Sequence, residues 1–325
     1  RIKGQTLGMR SFIRLADYQR LTLEYHHIEE MRRGGDNIKR PPHEASVAEQ
    51  TEHAINTSSL KYDWQTADSR HSLSAYASAQ HIHRDSYYGG GYDMNAYGTT
   101  RDMTWMAGAQ YNYEFERCLF MPATLTAGVE YNHDDLHDDM WGYQRTTDQQ
   151  IGIASLFVQN EWKTRRWGLL LGGRLDSHSL IDHVIFSPRA TMRYNPTDNV
   201  NIRASYSWGF RAPQAFDLTE EKSQSLSLSA DMYRTWGAWQ ANLLVEGFYT
   251  TLSDVFALRE TGYVDGILMN ERYNEDGARV YGLTAEGRLE YRDRLQMQMG
   301  VTVQEARYKS PRLWSDDPEV GPEQR

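Results

Sequence analysis

Val200-Asn201-Ile202-Arg203-Ala204-Ser205-Tyr206-Ser207-Trp208-Gly209-Phe210-Arg211 decides the fold. Every second residue is apolar or aromatic (Val200, Ile202, Ala204, Tyr206, Trp208, Phe210), and those between are polar, small or charged. Side chains of a β-strand point alternately to its two faces, so this spacing predicts a strand with one apolar and one polar face. The pattern recurs along the chain. Ala123, Leu125, Ala127, Val129 and Tyr131 alternate with Thr124, Thr126, Gly128, Glu130 and Asn132, and Leu295, Met297, Met299, Val301 and Val303 with Gln296, Gln298, Gly300, Thr302 and Gln304. Ala75, Ala77 and Ala79 make another apolar face only mildly so.

Similar stretches lie near 5–15, 20–31, 48–64, 71–86, 101–115, 153–163, 167–176, 186–195, 223–234, 239–257 and 267–291. About fourteen strands result, most of them near or above the ~9–11 residues that cross a bilayer at a tilt, whereas strands of soluble proteins centre on about 5–6. Short turns rich in turn formers (Ala67-Asp68-Ser69, Pro196-Thr197-Asp198-Asn199, Arg292-Asp293-Arg294) alternate with polar segments expected to be long outer loops: 32–47, 86–100, 133–150, 177–185 and 258–266. That asymmetry fits a transmembrane barrel. The predicted class is all-β, an antiparallel transmembrane β-barrel segment.

Composition agrees. The chain has 325 residues, is 39% hydrophobic and 12% aromatic with 21 Tyr, and has a mean hydropathy of -0.72. No run approaches the roughly 18 apolar residues of a membrane helix, but barrel strands need only every second residue apolar. Abundant Tyr and Trp suit a structure anchored at two water–lipid interfaces. A net charge of -9 argues against nucleic acid as a partner, since phosphate binding draws on excess Lys and Arg. Cys118 is the single cysteine and forms no internal disulfide.

Short motifs narrow the class. Phe186-Ser187-Pro188-Arg189, then Tyr194-Asn195-Pro196-Thr197-Asp198-Asn199, then Gly209-Phe210-Arg211-Ala212-Pro213 closely resemble TonB-dependent outer-membrane receptors of the siderophore, haem and cobalamin type. Gly172-Gly173-Arg174-Leu175-Asp176, Glu220-Glu221-Lys222-Ser223 and Gly277-Ala278-Arg279-Val280-Tyr281-Gly282 keep the same order. The resemblance implies a Gram-negative outer-membrane location and energy-coupled uptake of a scarce nutrient complex: a ferric siderophore, haem or cobalamin. It implies no cofactor and no chemistry on the ligand. Its partners would be outer-membrane lipid and lipopolysaccharide, the TonB motor acting through a plug, and in some cases a surface lipoprotein. Family barrels have twenty-two strands and an N-terminal plug, so residues 1–325 are expected to be a partial barrel without plug and several strands, with a loop missing between Asp217 and Leu218. A passive porin-type channel, or an outer-membrane barrel hydrolase, are the alternatives.

On the alternation above, Arg203 and Arg211 face the lumen, where they could pair with plug carboxylates or remain solvated. Pro213 lacks a backbone donor and pushes Ala212 from helical geometry, so the chain should leave the sheet there. Tyr87, Tyr88, Tyr92, Trp141 and Tyr143 could stack on a flat ligand, or belong to an interfacial girdle. His133, Asp134, His137 and Asp138 could hold a divalent cation, although their spacing matches no tight ligand set and a solvated acidic loop has the same composition. Arg32-Arg33 could meet lipopolysaccharide phosphates or be an ordinary solvated pair. His26-His27 and His81-His83 form no cluster by spacing.

Overall fold

The structure, a computed structural model, describes residues 1–310 apart from 144, 214–217, 265, 266 and 293. The expected break between Asp217 and Leu218 therefore borders residues outside the described ones. The strands are β1 (Ile2–Ala16), β2 (Gln19–Gly35), β3 (Val47–Gln65), β4 (His71–Gly90), β5 (Tyr97–Cys118), β6 (Met121–Met140), β7 (Arg145–Lys163) and β8 (Trp167–His178). They continue as β9 (Ile185–Thr197), β10 (Val200–Arg211), β11 (Glu221–Trp236), β12 (Trp239–Ser253), β13 (Val255–Val264), β14 (Ile267–Glu275), β15 (Ala278–Tyr291) and β16 (Leu295–Tyr308). Two 3-10 turns, Pro42–Glu44 and Trp141–Tyr143, are the helical elements among the described residues. Among the described residues no helix is long and apolar enough to cross a membrane.

Fourteen strands form one sheet in the order β1 to β12, then β15 and β16, while β13 and β14 make a separate two-stranded ribbon. Neighbours pair antiparallel wherever register is resolved. The chain divides into two compact units: Arg1–Glu114 with Thr126–Phe157 and Asp176–Val184, and Phe115–Leu125 with Val158–Leu175 and Ile185–Arg325.

Tight turns at one end of the sheet explain the consecutive pairing. Tyr18, Ser69, Leu119, Gly237 and Arg292 sit in them with φ of 62°, 58°, 62°, 58° and 46°. Left-handed residues match a turn to the right-handed strand twist and let two to five residues reverse the chain.

Register sorts the side chains. In the first unit, Leu23, Leu60, Ala77 and Ala107 share one face, and Arg20, Asp63, Ser74 and Gln110 the other. In the second, Ala204, Leu228, Gly247, Leu283 and Val303 form an apolar row, and Arg203, Ser229, Glu246, Thr284 and Thr302 a polar one. Leu228 at 59%, Val301 at 60% and Val303 at 69% exposure point away from the protein's own packing. Burying such side chains is worth about 1.5–3 kcal/mol each, and the medium that supplies this for the apolar face is hydrocarbon.

Two aromatic belts bound that face. In the second unit Trp167 stacks on Tyr194 at 4.2 Å and Trp239 lies 4.7 Å from Tyr291 at the turn end, while Tyr249 stacks on Tyr281 at 6.2 Å farther up. From Trp239 to Tyr249 a strand tilted near 45° climbs about 23 Å, close to the roughly 25 Å apolar band of outer-membrane barrels. In the first unit Trp105 meets Tyr131 at 5.1 Å and His133 at 5.6 Å. The apolar face also explains one glycine of the motif set: a Cβ at Gly173 would lie 2.6 Å from the Phe186 ring, so the ring covers the neighbouring strand only because Gly173 has no side chain.

Three loop expectations need correction. Segment 86–100 is mostly strand, with β4 ending at Gly90 and β5 starting at Tyr97, and 133–150 is mostly strand through β6 and β7. Of segment 258–266, residues 258–264 belong to strand β13 and 265 and 266 lie outside the described residues, and the expected strands 239–257 and 267–291 are each broken, at Asp254 (φ 56°) and at Gly277 (φ 108°). Beyond the outer belt both faces meet water. Hydrophobic alternation therefore fades while the backbone ladder continues.

The two faces predict opposite responses to charge. Met232→Arg, near mid-band on the apolar face opposite Leu243, should cost about 2–4 kcal/mol of stability in lipid vesicles, and Ser229→Arg on the polar face less than about 1 kcal/mol. Denaturant unfolding of the full-length protein followed by Trp fluorescence measures both, and equal costs would refute the face assignment.

Candidate functional site

At the outer end of the first unit the β2–β3 connection folds down onto β3 to β5. Ala45, Ala48, Tyr87 and Ala96 form a small buried cluster with Tyr97 packed against it. Tyr87, 1% exposed, donates its hydroxyl to the Asp93 carbonyl at 2.8 Å and meets Tyr97 edge-on at 4.9 Å. The Tyr97 hydroxyl lies 2.7 Å from Nδ1 of His43, which ties the Pro42–Glu44 turn to β5. Asp36 closes the connection: its carboxylate accepts from the Ser46 hydroxyl at 2.6 Å and the Val47 N–H at 3.1 Å. Those bonds, the Ser46 one foremost, hold the Asp36 carboxyl below the usual range. Arg33 is buried here, donating to the carbonyls of Gly34 and Asp36, while Arg32 is exposed and paired with Glu30 at 2.5 Å.

Of the five aromatics expected to stack on a ligand, the four with described side chains do not converge. Tyr87 is enclosed in this cluster, and Trp141, 58% exposed, edges a shallow hollow with Tyr97, Gln50, Glu52 and Asp85 on the same side of the sheet. Tyr88 follows on the opposite, polar face, half-buried, and Tyr92 is exposed in the β4–β5 turn. The side chain of Tyr143 lies outside the described residues.

The polar face carries an ionic hub at the same level. Arg84 of β4 donates to the Thr100 hydroxyl on β5 at 2.7 Å, and Thr100 donates to Asp138 Oδ1 on β6 at 2.5 Å. Arg84 lies 3.3 Å from Asp138 Oδ1, and Arg145 of β7 lies 3.2 Å from Oδ2. One carboxylate thus joins four strands. Sequence reading placed His133, Asp134, His137 and Asp138 in a loop as cation candidates; they are strand residues. The two histidines face one side, the two aspartates the other, and Asp138 is engaged by two guanidiniums. His137 instead lies 3.0 Å from Asp139. Among the described residues no group of three or more His, Cys, Asp or Glu is placed to hold a metal ion.

Nearer the turns, the polar face holds a hollow of about 1260 Å³ lined by Arg14, Arg20, Lys61, Asp63, Tyr76 and Asn112, among others. Arg20 and Lys61 share Asp63 at 3.3 and 2.9 Å.

In the second unit, β10 ends at Arg211, two residues before Pro213, whose missing donor and fixed φ interrupt the ladder, and Pro213 itself is fully buried. Arg211 pairs with Glu221 at 3.3 Å and lies over the Phe256 ring at 5.3 Å, so this motif arginine is held within the chain. The other oxygen of Glu221 accepts the Phe256 N–H at 3.1 Å, and Asn274 exchanges 2.9 Å bonds with the backbone of Thr219 and donates to the Asp254 carbonyl at 2.7 Å. The ribbon is therefore clasped to the segment that follows the motif, a role for Glu221 and Asn274 that sequence reading missed. Asn274-Glu275-Asp276-Gly277, a turn-forming run, was its only sequence signal. Arg203 is exposed on the polar face and donates to Asn201 at 3.0 Å.

An antiparallel wall with one lipid-facing side, one polar side and two aromatic belts is that of an outer-membrane β-barrel protein. The chain belongs to the family of TonB-dependent receptor-like β-barrels, whose profile matches residues 10–322, and its place is the outer membrane of a Gram-negative bacterium. Among solved structures it is similar to the siderophore receptor PirA from Acinetobacter baumannii, at 16% identity and a TM-score of 0.76 over 95% of this chain and 54% of that one. It is also similar to the alcaligin outer-membrane receptor FauA from Bordetella pertussis, at 15% identity and a TM-score of 0.69 over 94% of this chain and 53% of that one. A variant of the ferric enterobactin receptor PfeA from Pseudomonas aeruginosa matches at 17% identity and a TM-score of 0.74, over 93% of this chain and 51% of that one. The chain thus spans about half the length of these structures. A comparison with curated proteins finds none that matches.

The hub and the loop clasp give separate tests. Asp138→Ala leaves Arg84 and Arg145 without their shared carboxylate, and the outer ends of β4 to β7 should lose about 2 kcal/mol of protection against hydrogen exchange, a value below that of a fully buried pair because Arg145 is largely exposed. Unchanged protection would show the hub to be ornamental. Asp36 works through pH. Its folded pKa is depressed, so its contribution is complete above the unfolded value, about 3.9, and disappears as pH falls through the lower folded one. Exchange in 37–46, corrected for intrinsic rate, should accelerate below pH 4 in the native protein and show no such step in Asp36→Ala.

Proposed function

We propose that this chain is the barrel wall of a receptor that takes up an anionic ferric chelate, a siderophore, across the outer membrane. The observation that carries the reading is the hub on the polar face. Arg84 and Arg145 are held at the outer end by Asp138, with Tyr88 on the same side of β4. Guanidiniums fixed at that level attract an anionic complex and can exchange part of their carboxylate pairing for it, while an aromatic face adds contact area at little entropic cost. Structures of similar fold carry names of siderophore receptors, which supports the substrate class. Haem and cobalamin offer flatter, larger faces that the separated positions of Tyr87, Tyr88, Tyr92 and Trp141 do not match.

Uptake in this reading is driven: the TonB motor pulls on a plug seated against the polar face, and the hollow bordered by Arg14, Arg20 and Lys61 is a surface such a plug can occupy. The ligand leaves chemically unchanged.

The test is uptake by a strain lacking the protein. Accumulation of iron-55 from at least one ferric siderophore should fall to background and return with the wild-type gene, while Arg145→Ala should weaken chelate binding to the purified receptor about tenfold, the loss of one charge-assisted contact. Normal use of every siderophore offered, with a defect on haem or cobalamin alone, would overturn the substrate class. Ion conductance without energy dependence would favour a porin-type channel instead.

A further inference from the structure

On the polar face of the first unit, three neighbouring strands each carry a single aliphatic side chain, and register sets all three in one row. From Arg20 to Arg32 on β2, from Glu49 to Asp63 on β3 and from Ser72 to Ser86 on β4, the positions on that face hold charged, hydroxyl, amide or imidazole groups. The exceptions are Ile28, Ile55 and Ile82. Ile28 pairs with Ile55 and Ile55 with Ile82, and all three are half-buried. Strand preference for β-branched residues does not account for the row, because Thr51 and Thr57 meet the same preference on β3 with a hydroxyl.

The surroundings of the row are polar on every side. Glu30, His53 and Arg84 make the next row outward, and Arg84 belongs to the hub on Asp138. The next row inward is His26, Thr57 and Gln80, with Gln80 donating to Thr57 at 3.0 Å. Thr6 on β1 and Asp102 on β5 end the row sideways. Ile82 pairs with Asp102 and Ala79 with the belt residue Trp105, so the row stands about 7 Å above the outer belt.

Three isoleucines facing water forgo the gain that burial brings, and an apolar group laid over them recovers it. Such a cover reaches them from outside: the hollow suited to a plug, with Lys61 and Asp63 of β3 in its lining, begins about 14 Å nearer the turns. Two strand spacings make the strip about 10 Å long, a length spanned by an alkyl chain of about eight carbons. A group attached one row farther out meets Arg84, whose guanidinium suits an anion. An apolar arm beside an anionic head is the make-up of an amphiphile. We propose that the ferric chelate taken up by this receptor is amphiphilic, with an aliphatic arm lying across Ile28, Ile55 and Ile82 and its charged head at Arg84. The proposal rests on the uptake reading above and specifies the kind of chelate.

The experiment titrates the full-length receptor in detergent with six ferric probes, following Trp fluorescence: a catecholate, a hydroxamate and an α-hydroxycarboxylate head, each with an acetyl or an octanoyl arm. A methylene fully withdrawn from water is worth about fourfold in affinity and one covered on a single side about twofold, so the added methylenes should tighten binding of the accepted head about fiftyfold. Ile55→Thr with Ile82→Thr keeps β-branched strand residues and should reduce that gain to less than about fivefold, with affinity for the acetyl form within about twofold of native. Ile55→Val should retain most of the gain. Heat-modifiable migration of each variant on a gel reports that the barrel is folded. Equal affinity for the acetyl and octanoyl forms of the accepted head, or a gain that survives the double threonine variant, overturns the proposal and leaves the siderophore reading standing. Binding of none of the six overturns it as well if the strain still takes up iron-55 from a siderophore, and loss of both sinks the siderophore reading itself.

Discussion

Everything in this structure depends on the backbone hydrogen-bond ladder between antiparallel neighbours. In hydrocarbon an unpaired N–H or C=O costs several kcal/mol, so a strand can cross only beside another strand. That requirement joins fourteen strands in sequence order, sets register through tight turns, and by register assigns each side chain a face. The apolar row through Leu228 and the polar row through Ser229 are consequences of the ladder as much as of the residues themselves.

Register also determines which polar groups meet. Arg84, Thr100, Asp138 and Arg145 are spread over four strands and come together only because each strand is held at a particular offset from the next. The clasp in the second unit works likewise: Glu221 and Asn274 connect segments far apart in sequence through bonds to backbone. Such contacts are inexpensive where strands already lie side by side, because little further chain entropy is lost in making them.

What could be read from the sequence follows from the same physics. Within the lipid band, water on one side and hydrocarbon on the other impose alternation, and Val200 to Phe210 or Leu295 to Val303 show it plainly. Above the band, strand residues such as His133 to Met140 meet water on both faces, and nothing in their composition separates strand from loop. Asp138 looked like a loop carboxylate for that reason, and the enclosure of Tyr87 was hidden because its neighbours Ala45 and Ala96 lie on either side of it in the chain. The motif around Phe210 to Pro213 indicated the family, and the partner of Arg211 emerged only with the position of Glu221.

The β13–β14 ribbon is inserted between two strands, β12 and β15, that pair with each other along most of their length. Its own ladder is separate, so its length does not alter the register of the wall below, and lengthening such an excursion costs only about 0.6 kcal/mol per doubling. The membrane-embedded part is thereby insulated from sequence drift in the exposed part. A surface epitope recognised by antibodies or phage can change at this position, or a foreign segment be displayed there, while the barrel assembles as before.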